Sequence, residues 1–339
     1  MSDEPGRVEA VAVRARACCA QGGQGAAVAA IDCAAAQAAP RRSGARRRLF
    51  APLNTPIRDW QGRRVWIVGA SSGIGEALAL ELARRGARLA LSARGETRLR
   101  AVCAACDAAA GVGLRPVGAG APANAAVEQA NFAGSPAPTE TLSLPLDLAR
   151  DGDIERARDA LLANWGGFDL VVFNAGTYRP LRAWELSAEA VRETLATNLV
   201  GTMSGTAAVL PTLLAQGAGA IALVGSVAGY GGLPKAAVYG PSKAALINFA
   251  ETLYLDLAPR GIDVFLINPG FVATPLTAHN DFAMPALQTP AQAADAIVAG
   301  LARGAFEIHF PKRFTRALKL LQWLPRRLYF PLVRRATGL

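Results

Sequence analysis

Arg64-Val65-Trp66-Ile67-Val68-Gly69-Ala70-Ser71-Ser72-Gly73-Ile74-Gly75-Glu76 is the stretch on which the fold turns. Its apolar beginning reads as a short buried strand. The glycine-rich turn follows at once, and Glu76 to Arg85 continues with helical spacing. A strand, a glycine-rich turn and a helix, in that order, form the context of a dinucleotide-binding loop. Glycines let the backbone turn sharply and come close to a pyrophosphate, which then meets the free N–H groups of the helix start. The spacing is Gly-x-x-x-Gly-x-Gly, so Gly69, Ser71, Ser72, Gly73, Ile74 and Gly75 are candidate cofactor-binding residues.

Downstream, strand and helix patterns alternate. Arg88 to Ala93 reads as a second strand with Arg94 at its end, and Glu96 to Ala109 as a helix. The end of this strand faces the adenosine ribose in a dinucleotide fold. An arginine there suits a 2′-phosphate, which favours NADP(H) over NAD(H). Residues 110–138, rich in Gly, Ala, Pro and Asn, break the rhythm and read as a flexible insertion. Thr141 to Leu146 resumes as a strand, followed by Asp147, a candidate contact for adenine. A helix is expected over Asp151 to Trp165, and a strand over Phe168 to Phe173 that ends in Asn174-Ala175-Gly176. Small residues at a strand end let a cofactor lie against the backbone. Ser187 to Ala215 reads as a long helical region. Within it, Asn198 sits amid Leu, Ala and Val and calls for a polar partner. Strands at Ala220 to Val224 and Ile262 to Ile267 follow, the latter ending in Asn268-Pro269-Gly270. Thr274 to Gln288 reads as a flap, Pro290 to Ala302 as a helix, and Ala305 to Phe310 as a last strand. The expected fold is α/β, a doubly wound, Rossmann-like parallel sheet in one domain over residues 61–310. Ligands of such sheets bind at the carboxyl ends of the strands.

Between the strand at 220–224 and the helix expected over Ala244 to Ala258 lie Ser226, Tyr239 and Lys243. Tyr239 and Lys243 are four residues apart and share a helix face. An ammonium beside a phenol favours the phenolate, so a lowered Tyr239 pKa is expected, with the Ser226 hydroxyl free to hold a substrate oxygen.

The charge is uneven. Residues 1–60 hold nine Lys/Arg against five Asp/Glu, a net +4; residues 303–339 hold nine against one, a net +8; the intervening body is near neutral at −2. A near-neutral body argues against nucleic acid as a partner. The first 60 residues, rich in Ala, Gly and Arg, read as disordered. Five cysteines do not form a disulfide framework, and Cys103-Ala-Ala-Cys106 reads as two small residues on an Ala-rich helix rather than a metal site. Reduced cysteines and a cytoplasmic location are expected, with no metal. No run of eighteen consecutive apolar residues suggests a transmembrane helix, and the N-terminal residues lack the apolar core of a secretory signal. From Pro311 onward, aromatic and aliphatic residues alternate with Lys and Arg, and Pro325 and Pro331 are expected to divide the tail into short helices. Such a tail suits peripheral contact with the inner membrane surface. Packing on the body or on a partner subunit is the other reading.

The ordered combination of Gly69-Ala-Ser-Ser-Gly-Ile-Gly75, Asp147, Asn174-Ala-Gly176, Asn198, Ser226, Tyr239-Gly-Pro-Ser-Lys243 and Pro269-Gly270 resembles the short-chain dehydrogenase/reductase family over about residues 61–310. Val68 stands where the family usually has Thr, and Phe173 where it usually has Asn. The resemblance implies an oxidoreductase acting on a small-molecule carbonyl or alcohol. Tyr239 would be the general acid or base, and Ser226 would bind the substrate oxygen. Lys243 would lower the Tyr239 pKa and bind the nicotinamide ribose. Asn198 would hold a water in a proton relay to Lys243, and Pro269 and Gly270 would line the nicotinamide pocket. It also implies a homodimer or homotetramer built through the helices at 187–215 and 239–258. A catalytically idle NADP(H)-binding scaffold remains the alternative. The apolar flap hints at a hydrophobic substrate.

Overall fold

In the computed structural model, residues 51–112, 141–278, 280, 282 and 284–338 are described. β1 (Arg64–Val68), β2 (Arg88–Ser92), β3 (Leu142–Ser143), β4 (Leu170–Phe173), β5 (Gly219–Val224), β6 (Ile262–Pro269) and β7 (Glu307–Phe310) form one seven-stranded sheet in the order β3-β2-β1-β4-β5-β6-β7. Every pairing is parallel. The order reverses between β1 and β4, and a crevice opens there beyond the strand ends. The strands read as near-continuous apolar runs because both sheet faces are covered. On one face α1 (Gly73–Arg84), α2 (Glu96–Val112) and α7 (Pro290–Ala302) bury Leu78, Leu82, Leu99, Cys106 and Ile297 against Val65, Ile67 and Phe265. On the other, α3 (Asp153–Trp165), α5 (Gly201–Gln216) and α6 (Tyr239–Leu257) bury Leu161, Leu213 and Leu253 against Trp66, Val171 and Ile221.

α4 (Ala188–Leu195) runs into α5 through a π-turn, Ala196–Val200, in which Gly201 N donates to Ala196 O. The whole Ala188–Gln216 stretch is long and apolar enough to cross a membrane by length and composition alone. In this fold it forms a wall of the α/β body, with Thr206, Val209 and Leu213 buried. Both described cysteines, Cys103 and Cys106, are free and buried on α2.

Several expectations are corrected. Residues 51–60, taken as part of a disordered segment, pack on the body. Ile57 and Trp60 are buried in the core, and the Asn54 carboxamide pairs with β6, donating to Val264 O at 2.7 Å and accepting from Val264 N at 3.1 Å. Asn54 thus satisfies β6 at the end that β7 does not reach, since β7 pairs only with Leu266 to Pro269. Residues 1–50 and 113–138, expected to be disordered and a flexible insertion respectively, lie outside the described residues. Residues 110–112, counted in that insertion, complete the last turn of α2. The strand expected over Thr141 to Leu146 shrinks to Leu142–Ser143. Leu144 and Leu146 still donate to β2-side carbonyls at 2.9 and 3.2 Å, but Pro145 has no N–H to carry a regular ladder. The tail forms α8 (Lys312–Gln322) and α9 (Arg326–Thr337). Pro325 separates them as expected, whereas Pro331 lies inside α9, whose buried Tyr329 and Val333 hold it to the body on either side.

Candidate active site

A cleft of about 630 Å³ opens over the carboxyl ends of β1, β2, β4, β5 and β6. It is lined by Gly69, Ser71, Ser72, Gly73 and Ile74, by Arg94 and Asp147, by Asn174, Ala175 and Gly176, and by Ser226, Tyr239, Lys243, Pro269 and Gly270. The fold therefore gathers nearly every candidate residue of the sequence into one cavity. Two stand outside it. Gly75 lies beneath the loop and Asn198 lies behind the wall.

The loop end is shaped by what glycine lacks. Gly69 has φ +94°, and a Cβ there would strike the backbone of Ala175. A Cβ on Gly75 would meet Gly69 O and sit 2.6 Å from Asn174 Nδ2. Asn174 in turn donates to Gly69 O at 2.6 Å, so the end of β4 pins the loop that leaves β1. Ser72, the residue before α1, is extended, and its side chain makes no capping bond. The first residues of α1, Gly73 and Ile74, line the cleft, and their N–H groups are not capped by the Ser72 side chain, so this helix start suits an anion. Arg94 is exposed at the lip after β2 and has no ion pair among the described residues. Cleft size, backbone clearance and free donors all fit a nicotinamide dinucleotide. The loop residues would take its phosphates, and Tyr239, Lys243, Pro269 and Gly270 its nicotinamide end.

At that other end, Ser226 follows β5 and its Oγ accepts from Ala228 N at 3.1 Å, starting a short 3₁₀ turn. A side-chain hydrogen bond joins Ser226 to Tyr239, the first residue of α6. The Tyr239 ring is half-buried and meets Tyr178 edge-on, centroids 4.8 Å apart. One turn later Lys243 is buried, and its Nζ donates to Val224 O at 2.8 Å, 5.7 Å from the Tyr239 ring centre.

The electrostatics correct the expectation of a lowered Tyr239 pKa. Burial pushes the phenol up to about 12, partly opposed by the bond from Ser226. Burial likewise drives Lys243 down to about 8. Both shifts favour the neutral forms. One Lys243 N–H is directed at a backbone carbonyl, Val224 O. At neutral pH the site holds a protonated tyrosine, which suits proton donation to a developing alkoxide.

Asn198 is fully buried in the π-turn. Its Oδ1 accepts from Thr177 N at 2.7 Å, and its Nδ2 donates to Thr177 O at 2.8 Å and Ser242 Oγ at 3.3 Å. The partner that a polar residue in this apolar segment requires is thus the peptide just after Gly176. A Cβ on Gly176 would lie 3.3 Å from Asn198 Oδ1 and 3.6 Å from Lys243 Nζ, so the β4 end, the π-turn and α6 converge on one glycine. Sequence reasoning stopped at Gly176 and missed Thr177 and Tyr178, which line the cleft. Continuing past the strand end would have reached them. Thr197, also in the lining, has no sequence signal, because only the π-turn brings it there. Phe173 is buried beside Gly205 of α5, where a Cβ would be 2.6 Å from Cε1 of its ring. The larger residue at this position is thus matched by a missing side chain opposite.

The short chain dehydrogenase family model matches residues 63–131 and 119–283, the greater part of the described body. The chain belongs to the short-chain dehydrogenase family. This dehydrogenase is 36% identical over 274 residues to an uncharacterized oxidoreductase of Myxococcus xanthus, covering 80% of this chain and 97% of the relative. Among solved structures, it is similar to a short-chain dehydrogenase of Sphingobium yanoikuyae in complex with NADPH. That match has a TM-score of 0.61 and 25% identity over 78% of this chain and 97% of the other. A Burkholderia phymatum family member in complex with NAD shares the fold at TM-score 0.64 and 22% identity, over 78% and 94% of the two chains. The short-chain dehydrogenase is thus an NAD(P)-dependent oxidoreductase of CH–OH and C=O groups.

Proposed function

We propose that the enzyme transfers hydride between NADP(H) and a hydrophobic ketone or secondary alcohol, through Asn198, Ser226, Tyr239 and Lys243. The observation that carries this reading is the meeting of Ser226, Tyr239 and Lys243 at one end of the same cleft whose other end is the glycine loop. A nicotinamide bound there supplies or accepts the hydride. In reduction, the Tyr239 phenol gives its proton to the substrate oxygen while the Ser226 hydroxyl donates a second hydrogen bond to that oxygen. Lys243 stands beside the tyrosine, its Nζ 5.7 Å from the ring centre, and Asn198 holds the Thr177 peptide, Ser242 and hence the start of α6 in register. NADP(H) over NAD(H) rests on Arg94, exposed at the position where an acidic residue would instead take a ribose hydroxyl. A hydrophobic substrate is supported by Val272, Pro275 and Leu276, which line the cleft beyond Gly270.

Exposed Val200 just before α5, Met203 on α5 and Leu255 on α6 support a homodimer or homotetramer through those helices. A cytoplasmic location agrees with the free Cys103 and Cys106. The deciding experiment scans NADPH oxidation over acyl, steroid, sugar and aromatic carbonyls and repeats the best one with Tyr239→Phe. Turnover should fall by about 10²–10⁴-fold while NADPH still binds. Full activity in that variant would overturn the mechanism. Cofactor binding with no turnover of any carbonyl by the parent would favour an idle scaffold.

A further inference from the structure

α8 and α9 each have an anchored face and an open one. Thr315, Tyr329 and Val333 are buried, Tyr329 donates its hydroxyl proton to Gly232 O at 2.8 Å, Phe314 packs on Phe271, and Lys319 pairs with Glu307. These contacts fix the two helices to the body beside the flap and the loop that follows Ser226. The opposite face exposes Trp323 at 87%, Leu320 at 67%, Phe330 at 57%, Leu328 at 55% and Leu332 at 47%. Five large apolar side chains stand in water within thirteen residues, more than isolated surface exposure explains.

Residues 312–338 hold eight Lys/Arg and no Asp/Glu. Of these, Lys312, Arg313, Arg316, Arg326, Arg327, Arg334 and Arg335 are exposed around the apolar residues. A twofold contact between copies would bring this surface against itself, cation against cation, with no acid to compensate. An anionic lipid surface has the opposite complementarity. The interfacial region takes aromatic and aliphatic groups, and long cationic side chains reach from that depth to the headgroup phosphates.

We propose that the open faces of α8 and α9 dock the protein on an anionic lipid bilayer, with Leu320, Trp323, Leu328, Phe330 and Leu332 entering the interface and the flanking arginines meeting phosphates. The inference rests on this surface alone and is independent of the chemistry in the cleft.

The test is co-sedimentation of the full-length protein with phosphatidylcholine vesicles, with and without phosphatidylglycerol, at low and high salt. Pelleting is expected with the anionic vesicles and should weaken as salt screens the arginines. The triple variant Leu320→Ser, Trp323→Ser, Phe330→Ser should lose at least about tenfold in vesicle affinity. The pair Arg326→Glu and Arg327→Glu should lose most of the salt-sensitive part. NADPH binding by each variant confirms that the body has folded. Failure of the parent to pellet would overturn the proposal. Undiminished pelleting of the triple variant would also overturn it, because binding would then belong to another segment, such as the arginine-rich sequence Arg41-Arg42-Ser43-Gly44-Ala45-Arg46-Arg47-Arg48. A parent that ignores vesicles but self-associates, while the triple variant does not, would make the face a subunit interface instead, again overturning it.

Discussion

The two ends of the cleft are built by different means. At the glycine-loop end, the determinants are missing atoms and backbone groups: Gly69 against Ala175, Gly75 against Gly69 O, and Asn174 donating to Gly69 O. At the flap end, the determinants are charged and aromatic side chains drawn from distant parts of the chain. Glu307 at the start of β7 accepts from Tyr230 and from Asn268 Nδ2 at 2.9 Å, and it pairs with Lys319 of α8. Burial tends to raise the Glu307 carboxyl, but those donors outweigh it and hold the group below the usual carboxylate range. Lys319 also lies over the Tyr230 ring at 5.2 Å. One carboxylate therefore ties together the loop after Ser226, the strand that ends in Pro269, and the tail. A sterically defined end tolerates no added atom, whereas a networked end loses stability when an atom is removed.

This contrast makes the two ends separable. The largest effect is expected from Gly75→Ala, since the new Cβ would meet a carbonyl oxygen and an amide that cannot both move. Titration of NADPH fluorescence should show cofactor affinity lost, together with overpacking strain of about 1–3 kcal/mol. Retained affinity would break the steric account. Glu307→Ala comes next, stranding the Tyr230 hydroxyl, the Asn268 amide and the Lys319 ammonium. Because Lys319 is partly solvated, the cost is set at about 1–3 kcal/mol rather than that of a fully buried pair. Chemical denaturation should show it, with NADPH affinity nearly unchanged; an equal loss of cofactor binding would merge the two ends into one unit. Arg94→Ala should weaken NADPH about tenfold, leaving NADH alone, if the guanidinium contributes roughly one charge-assisted contact. Equal effects on both cofactors would remove the basis for NADP(H) preference.

The last prediction concerns pH. Lys243 has a folded pKa of about 8 against an ordinary 10.5, so between those values the unfolded chain binds more protons than the folded one. Stability should therefore gain from this residue as pH rises through that window. Lys243→Met should lose its relative advantage at the alkaline end. Thermal melts of both proteins across the window would show a converging difference, and parallel curves would refute the burial of a titrating lysine.

The legible parts of the molecule share a reason. Strand cores, the glycine loop, the helix opened by Pro290 and the pair Tyr239–Lys243 are specified by residues within a few positions of one another. Apolar runs, glycine spacing and helical periodicity report such local rules directly. The misread parts depend on contacts across the chain. Asn54 looked like one polar residue in a tail, because its partner Val264 is 210 residues away. Pro331 looked like a helix end, because the Tyr329 bond to Gly232, which anchors that turn, spans 97 residues. The Tyr239 pKa was misjudged in direction because helical spacing reports that a lysine is near and says nothing of the surrounding burial.

The sequence alone determined the alternation of strand and helix, the cofactor loop, and the set of polar groups at the strand ends. Each follows from local stereochemistry or from a short motif. Only the tertiary structure decided that Lys243 Nζ donates to Val224 O, that Asn198 serves the Thr177 peptide, and that Glu307 ties the tail to the loop after Ser226 and the end of β6. Hydrogen-bond partners and desolvation belong to the packed interior, and no spacing along the chain encodes them.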